Sequence, residues 1–115
     1  MKLTPLAVDT GLSAICAKIA SVRLFSANPE EGVFLELAHP DYSAWHVDLA
    51  DWTVGDGRAV FERRVVFRTA PGEVQGWYAL DAAGALVAYD KWGSPVQSTE
   101  FGGGLSVVVA LNMRT

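Results

Sequence analysis

The sequence predicts a mainly β protein: an antiparallel β-sandwich, jelly-roll-like, with one short N-terminal α-helix. Three observations predict it. The stretch Val74–Tyr89, VQGWYALDAAGALVAY, places two apolar-alternating runs around a turn at Asp81–Gly84, the pattern of a β-hairpin. Near the end, Leu105, Val107, Val109 and Leu111 form one unbroken apolar face at strand spacing. Other strand-like runs recur between turn signals with no βαβ rhythm, which favours a sandwich or barrel over a parallel sheet.

Length and composition agree. A chain of 115 residues, half of it hydrophobic, suits one domain with one core. A net charge of −4 lacks the basic footprint of a nucleic-acid-binding surface. The single cysteine, Cys16, excludes an intrachain disulfide and is compatible with a reducing cytoplasm. No apolar run is long enough to span a bilayer. Asp9, Thr10 and Ser13 interrupt the N-terminal apolar stretch, which is therefore not read as a signal peptide.

Each element has its own reason. Met1–Val8 is expected to be an extended arm, because Pro5 lacks a donor and biases Thr4 away from helix. Asp9 or Thr10 is a plausible N-cap. Leu12, Ile15, Cys16 and Ile19 then fall at helical spacing, so Gly11–Ala20 is expected to be a short amphipathic helix packed on a sheet. Cys16 lies on its apolar stripe and reads as a small buried hydrophobe. Ser21–Ser26 is β-prone, Ala27–Gly32 (ANPEEG) is a turn-rich loop, and Val33–Leu37 is a short strand. His39 begins a segment that extends through His46–Leu49, and Val54–Gly57 is a turn. Arg58–Arg68 is the longest strand candidate, with Ala59, Phe61, Val65 and Phe67 on one face. Ala70–Glu73 (APGE) is a turn centred on Pro-Gly. In the hairpin, Trp77 is out of phase with Tyr78 and Leu80, which makes it the candidate outward-facing aromatic. Lys91–Gly103, with Pro95 and its glycines, is expected to be a longer connection.

The chemistry is sparse. His39 and His46 lie near Asp41 and Asp48, but the spacing matches no usual zinc pattern. Asp48, Asp51 and Asp56 lack the order of a calcium loop. Glu30, Glu31 and Glu36 carry no sign of the paired geometry that glycoside cleavage needs. Cys16 with His39 or His46 could form a thiol and its base, but the cysteine's helical stripe counts against it. Gly102–Gly104 lacks the Gly-Lys-Ser/Thr of a phosphate loop. No acid, base or nucleophile constellation stands out, and no metal or cofactor is expected. Four tryptophans and three tyrosines in so short a chain are more suggestive, because large flat rings fill β cores or serve as contact platforms.

The residues also resemble a family. The order is a Leu3-Thr4 opening, G-L-x-A-I (Gly11–Ile15), V-R-L-F-S-A-N-P (Val22–Pro29) and Y-S-A-W (Tyr42–Trp45). Trp52 follows, then G-W-Y-A-L-D-A-A-G-A-L (Gly76–Leu86), a Trp92/Pro95 loop and a closing G-x-L-x-V-x-V-x-L (Gly103–Leu111). This is similar to a family of small tailed-bacteriophage proteins encoded among virion structural genes. The resemblance implies a virion component made in the host bacterial cytoplasm: a head decoration or cement protein, or a tail accessory protein. It implies no catalytic residues. Its partners would be the major capsid protein or tail proteins, with no nucleic acid and no membrane. A homo-oligomer, including a trimer, would suit a site on a shell symmetry axis. The candidate partner contacts are Leu3 and Pro5 on the arm, with Trp45, Trp77 and Trp92. The competing reading is a glycan- or receptor-binding module stacking a sugar on those tryptophans.

Overall fold

Thr4 and Pro5 start the first element earlier than the apolar spacing suggests. In the computed structural model, which describes residues 4–67, 72–98 and 103–112, helix α1 runs Pro5–Lys18. Thr4 is extended, and its hydroxyl accepts from the Ala7 N–H at 3.2 Å. Pro5 takes the first helical position, where a missing N–H costs nothing. Residues 5–8 are therefore helical, which corrects the expected arm; residues 1–3, Leu3 included, lie outside the described residues. Neither expected cap caps. Thr10 donates its hydroxyl to the Leu6 carbonyl at 2.8 Å, and Asp9 accepts from the Gly57 N–H at 3.1 Å, tying the helix to a distant turn. Val8, Leu12 and Cys16, spaced by four, are all buried.

The helix runs directly into β1 (Ile19–Glu30), followed by β2 (Val33–Glu36) and β3 (Trp45–His46). A single 3-10 turn at Leu49–Asp51 leads to β4 (Thr53–Gly55), β5 (Arg58–Phe67), β6 (Gly72–Asp81), β7 (Leu86–Ser98) and β8 (Gly103–Asn112). All pairings are antiparallel. One sheet has the order β2-β1-β6-β7, with β3 beside β2 on the outer edge of β1; the other has the order β4-β5-β8. The protein is thus mainly β, with antiparallel sheets packed together and one N-terminal helix.

Several boundaries differ from expectation. The ANPEEG stretch is strand as far as Glu30, with register shifts on either side of Ala27. Its Asn28 amide donates to the carbonyls of Glu30 and Val33 at 2.7 and 2.6 Å, so a turn-forming residue here stitches a hairpin end. Residues 91–98 of the expected connection belong to β7. There the pairing jumps from Gly76↔Lys91 to Val74↔Val96, and such an irregularity accommodates Gly93 and Pro95. His46 ends β3, so the 46–49 segment is not a strand. Of the Ala70–Glu73 turn, residues 70 and 71 lie outside the described residues, while Gly72 and Glu73 open β6. The central hairpin turn is as expected. Asp81 Oδ1 accepts from Ala83 and Ala85 N–H at 2.9 and 2.8 Å, and Gly84 sits at φ 85°, where a side chain would be strained.

One apolar core joins the layers. Val22 and Leu24 of β1, Val74, Trp77 and Ala79 of β6, Ala59, Phe61 and Val65 of β5, and Val107 and Val109 of β8 meet Val8, Leu12 and Cys16 of α1. Trp77 is 1% exposed. This corrects its placement on an outward face: it is Tyr78 that points away from the main core. Val74 and Trp77, three apart, both reach the core because β6 is irregular between Val74 and Gly76.

Gly76 pairs with Phe25 on β1, and a Cβ there would lie 2.8 Å from the Phe25 ring and collide with the Asp90 carbonyl. Overpacking of this kind costs about 1–3 kcal/mol when the neighbours can give way, and a backbone carbonyl gives little. Gly76→Ala is expected to lower the urea midpoint by at least that equivalent, with little change in the denaturant slope. An unchanged midpoint would show that the ring and glycine do not meet.

Candidate partner-binding face

The outer face of the larger sheet carries a second apolar layer. Residues opposite one another in a pairing share a face, so Phe25, Gly76 and Lys91 form one row, and Arg23, Tyr78 and Tyr89 form the next. Phe34 reaches over from β2. Its ring stacks on Tyr78 at 4.8 Å and 9°, and meets Phe25 at 4.9 Å and Tyr89 at 5.2 Å. Pairs like these contribute about 0.5–1.5 kcal/mol each beyond their buried area. Phe25 and Tyr78 are buried by the arrangement, whereas Tyr89 stays 43% exposed. Beside it, Val33, Phe34, Tyr78, Leu80 and Leu86 line a groove of about 430 Å³. Val33 and Leu86 are each 40% exposed. Single exposed apolar residues are ordinary; their grouping beside a groove makes this face the candidate for contact with a partner.

A polar latch closes the other end of this face. The edge of β1 is shared by β3 at Ser21 and Val22 and by β2 from Phe25 onward. Leu24, fully buried, lies in the gap. Its carbonyl accepts from the Leu37 N–H at 2.9 Å, and its N–H donates to the Tyr42 hydroxyl at 3.0 Å. The hydroxyl in turn donates to Glu36 Oε2 at 2.8 Å, while Glu36 Oε1 pairs with Arg23 Nη1 at 3.0 Å. The loop side chain thus completes the backbone hydrogen bonding where two strands leave a break. Burial pushes the Tyr42 hydroxyl well above its ordinary value; the Leu24 N–H opposes this and the Glu36 carboxylate adds to it. Tyr78 is raised too, first by burial and then by Glu36.

The tryptophans expected as contacts lie elsewhere. Trp77 is enclosed. Trp45 and Trp92 are half-buried and pack against the core, with the Trp45 ring edge-on to Phe61 at 6.1 Å and Tyr42 at 6.4 Å. Arg63, the charge that interrupts the inner face of β5, lies over the Phe61 ring at 5.0 Å. Pro5 is the first residue of α1. No flat platform of three tryptophans is formed. The exposed rim is made instead by Tyr89, Leu86 and Val33, with Phe34 half-exposed. The tight glycine in a strand opposite a phenylalanine was the available signal for this face.

His39, Asp41, Asp48 and Asp51 have local partners. Asp48 Oδ1 accepts from the Ala50 N–H at 2.9 Å, and Asp51 Oδ2 accepts from the Asp48 N–H at 2.9 Å, a reciprocal cap on the 3-10 turn. His39 Nδ1 accepts from the Asp41 N–H at 3.1 Å. Among the described residues, no three His, Cys, Asp or Glu side chains converge as metal ligands. Among the same residues, no helix is long and apolar enough to cross a membrane. Burial raises the Cys16 thiol above its ordinary value, which disfavours the nucleophilic thiolate. No protein family, no curated protein and no solved structure matches this chain.

The latch predicts an alkaline weakness. A tyrosine whose folded pKa is raised loses fewer protons folded than unfolded, so its contribution is present below the unfolded value. It is lost as pH climbs above about 10 towards the folded value. Stability of the native protein should fall across that range. Tyr42→Phe should cost about 1–3 kcal/mol near neutral pH, because the buried Leu24 N–H loses its acceptor, and should flatten the alkaline fall without removing the share carried by Tyr78. Denaturant titrations at neutral and alkaline pH read both effects; an equal alkaline slope in the two proteins would contradict the latch.

Proposed function

We propose that this chain is a non-enzymatic structural component of a tailed-phage virion. In this reading it is a decoration or cement protein that docks on the head through the outer face of its larger sheet. The observation that carries the reading is that face: a rigid aromatic layer of Phe25, Phe34 and Tyr78, with Tyr89, Leu86 and Val33 left at the surface. The motif-by-motif resemblance to small virion proteins supports the same reading. Its partner is the major capsid protein, with tail proteins as the counterpart for a tail accessory role.

The mechanism needs no reaction. Rings held by stacking present a preformed surface, so little conformational entropy is lost on contact. Each contact is modest, and repetition around a shell multiplies it. A homo-oligomer on a symmetry axis, a trimer on a threefold, joins several such faces into one footprint.

Particle-fraction mass spectrometry with copy counting tests the proposal. Hundreds of copies per particle are expected for a head protein, a handful for a tail protein, and absence from purified particles overturns both. A Leu86→Asp/Tyr89→Asp double variant, whose charges replace exposed side chains, should fold normally and lose about ten-fold or more in particle occupancy, the effect of removing central interface anchors. Full occupancy by that variant would show that the outer face is not the docking surface.

A further inference from the structure

The two sheets leave a second opening, which shares only Tyr89 with the outer face. In the larger sheet β7 is an edge strand, and in the smaller sheet so is β8; among the described residues neither has a strand partner on its outer side. The two edges flank one cleft of about 420 Å³. Its floor is Leu12 and Ile15 of α1 with Trp77 of β6, and its walls are Val87 to Asp90 of β7 and Ala110 to Leu111 of β8.

Exposed strand edges are ordinarily guarded by charges, prolines or bulges, because unpaired N–H and C=O groups attract other strands. In β7, Lys91 and Pro95 guard the far half. The half that lines the cleft has only Asp90. The ten residues of β8, GGLSVVVALN, contain no charge and no proline. This edge has the composition of a strand that is paired.

Asp90 indicates the charge of what pairs with it. It stands opposite Trp77, so its side chain leaves β7 on the cleft side. Among the described residues it has no ion-pair partner.

We propose that the cleft between β7 and β8 accepts an extended segment of a partner polypeptide, hydrogen-bonded to the open edge of β8. Alternate small apolar side chains of that segment enter the cleft over Leu12, Ile15 and Trp77, and a lysine or arginine faces Asp90. The added strand bridges the two sheets and closes the open side of the sandwich, as in recognition by strand addition. The inference stands whether or not the outer face docks on a shell.

The probe is a synthetic peptide of about nine residues, within ordinary strand length, alternating valine and threonine around one central lysine. Two controls accompany it: the same peptide with every backbone amide N-methylated, which has no N–H on either edge to donate to β8, and one with a central glutamate. The readout is amide hydrogen exchange, resolved by NMR on the full chain. With the lysine peptide at millimolar concentration, the amides among residues 108–111 that point away from β5 should exchange about ten-fold more slowly, and the N-methylated peptide should leave them unchanged. Asp90→Lys, an exposed substitution, should reverse the preference, favouring the glutamate peptide by about five-fold. Unchanged exchange with the lysine peptide, or equal protection by the N-methylated one, would overturn the proposal. So would an Asp90→Lys protein that is folded and keeps the original charge preference.

Discussion

A glycine with a phenyl ring laid across it sets the architecture of the larger sheet. Gly76 on β6 and Phe25 on β1 are direct partners, and the ring occupies the space a Cβ would need. Because side chains alternate along a strand, seating Phe25 on the outer surface sends Leu24 inward, and the pairing then sends Trp77 inward with it. Tyr78 follows Gly76 and Phe25 outward, where Phe34 covers it. One sheet therefore carries two apolar layers: a main core shared with α1 and the smaller sheet, and an aromatic layer that no other element fully covers. The polar latch of Arg23, Glu36 and Tyr42 lies at the margin of that layer. An exposed ion pair alone contributes about 0–1 kcal/mol. Here Glu36 also holds the hydroxyl that satisfies a buried backbone donor, which gives the pair a structural consequence beyond its charge.

The parts legible in the sequence are those where one physical signal dominates. Strands β5 and β8 each carry an apolar inner face, broken in β5 only by Arg63, and the Asp81–Gly84 turn has a carboxylate and a φ > 0 glycine where the geometry needs them. The face of the central hairpin was not legible. Both surfaces of β6 are apolar, so period-two alternation cannot say which surface meets the core, and the irregularity before Gly76 places Val74 on the same side as Trp77. The helix start is hidden because Pro5, read alone, is a breaker. After a capping threonine, proline is an opening residue. Residues 27–30 and 91–98 look like loops in composition, yet bulged pairing holds both in strands.

The same ambiguity explains the candidate contacts. Tryptophan is the residue most readily nominated as a platform, yet Trp77 is enclosed, Trp52 packs on Phe61 at 5.6 Å, and Trp45 and Trp92 lean on the core. The smaller rings took the surface. Phe34 and Tyr89 come from strands three apart in the sheet order, so their meeting is a consequence of topology that no local window displays. The two proposed recognition features are thus of different kinds: side chains on one sheet face, and backbone edges at the opening between the sheets.

The face assignment of the larger sheet is tested most directly by hydroxyl-radical footprinting of the native protein, read residue by residue by mass spectrometry. Tyr89, Leu86 and Val33 should be oxidised readily, while Trp77 and Phe25 stay protected until the protein unfolds. Rapid oxidation of Trp77 with protection of Tyr89 would contradict the assignment and, with it, the surface on which the functional reading rests.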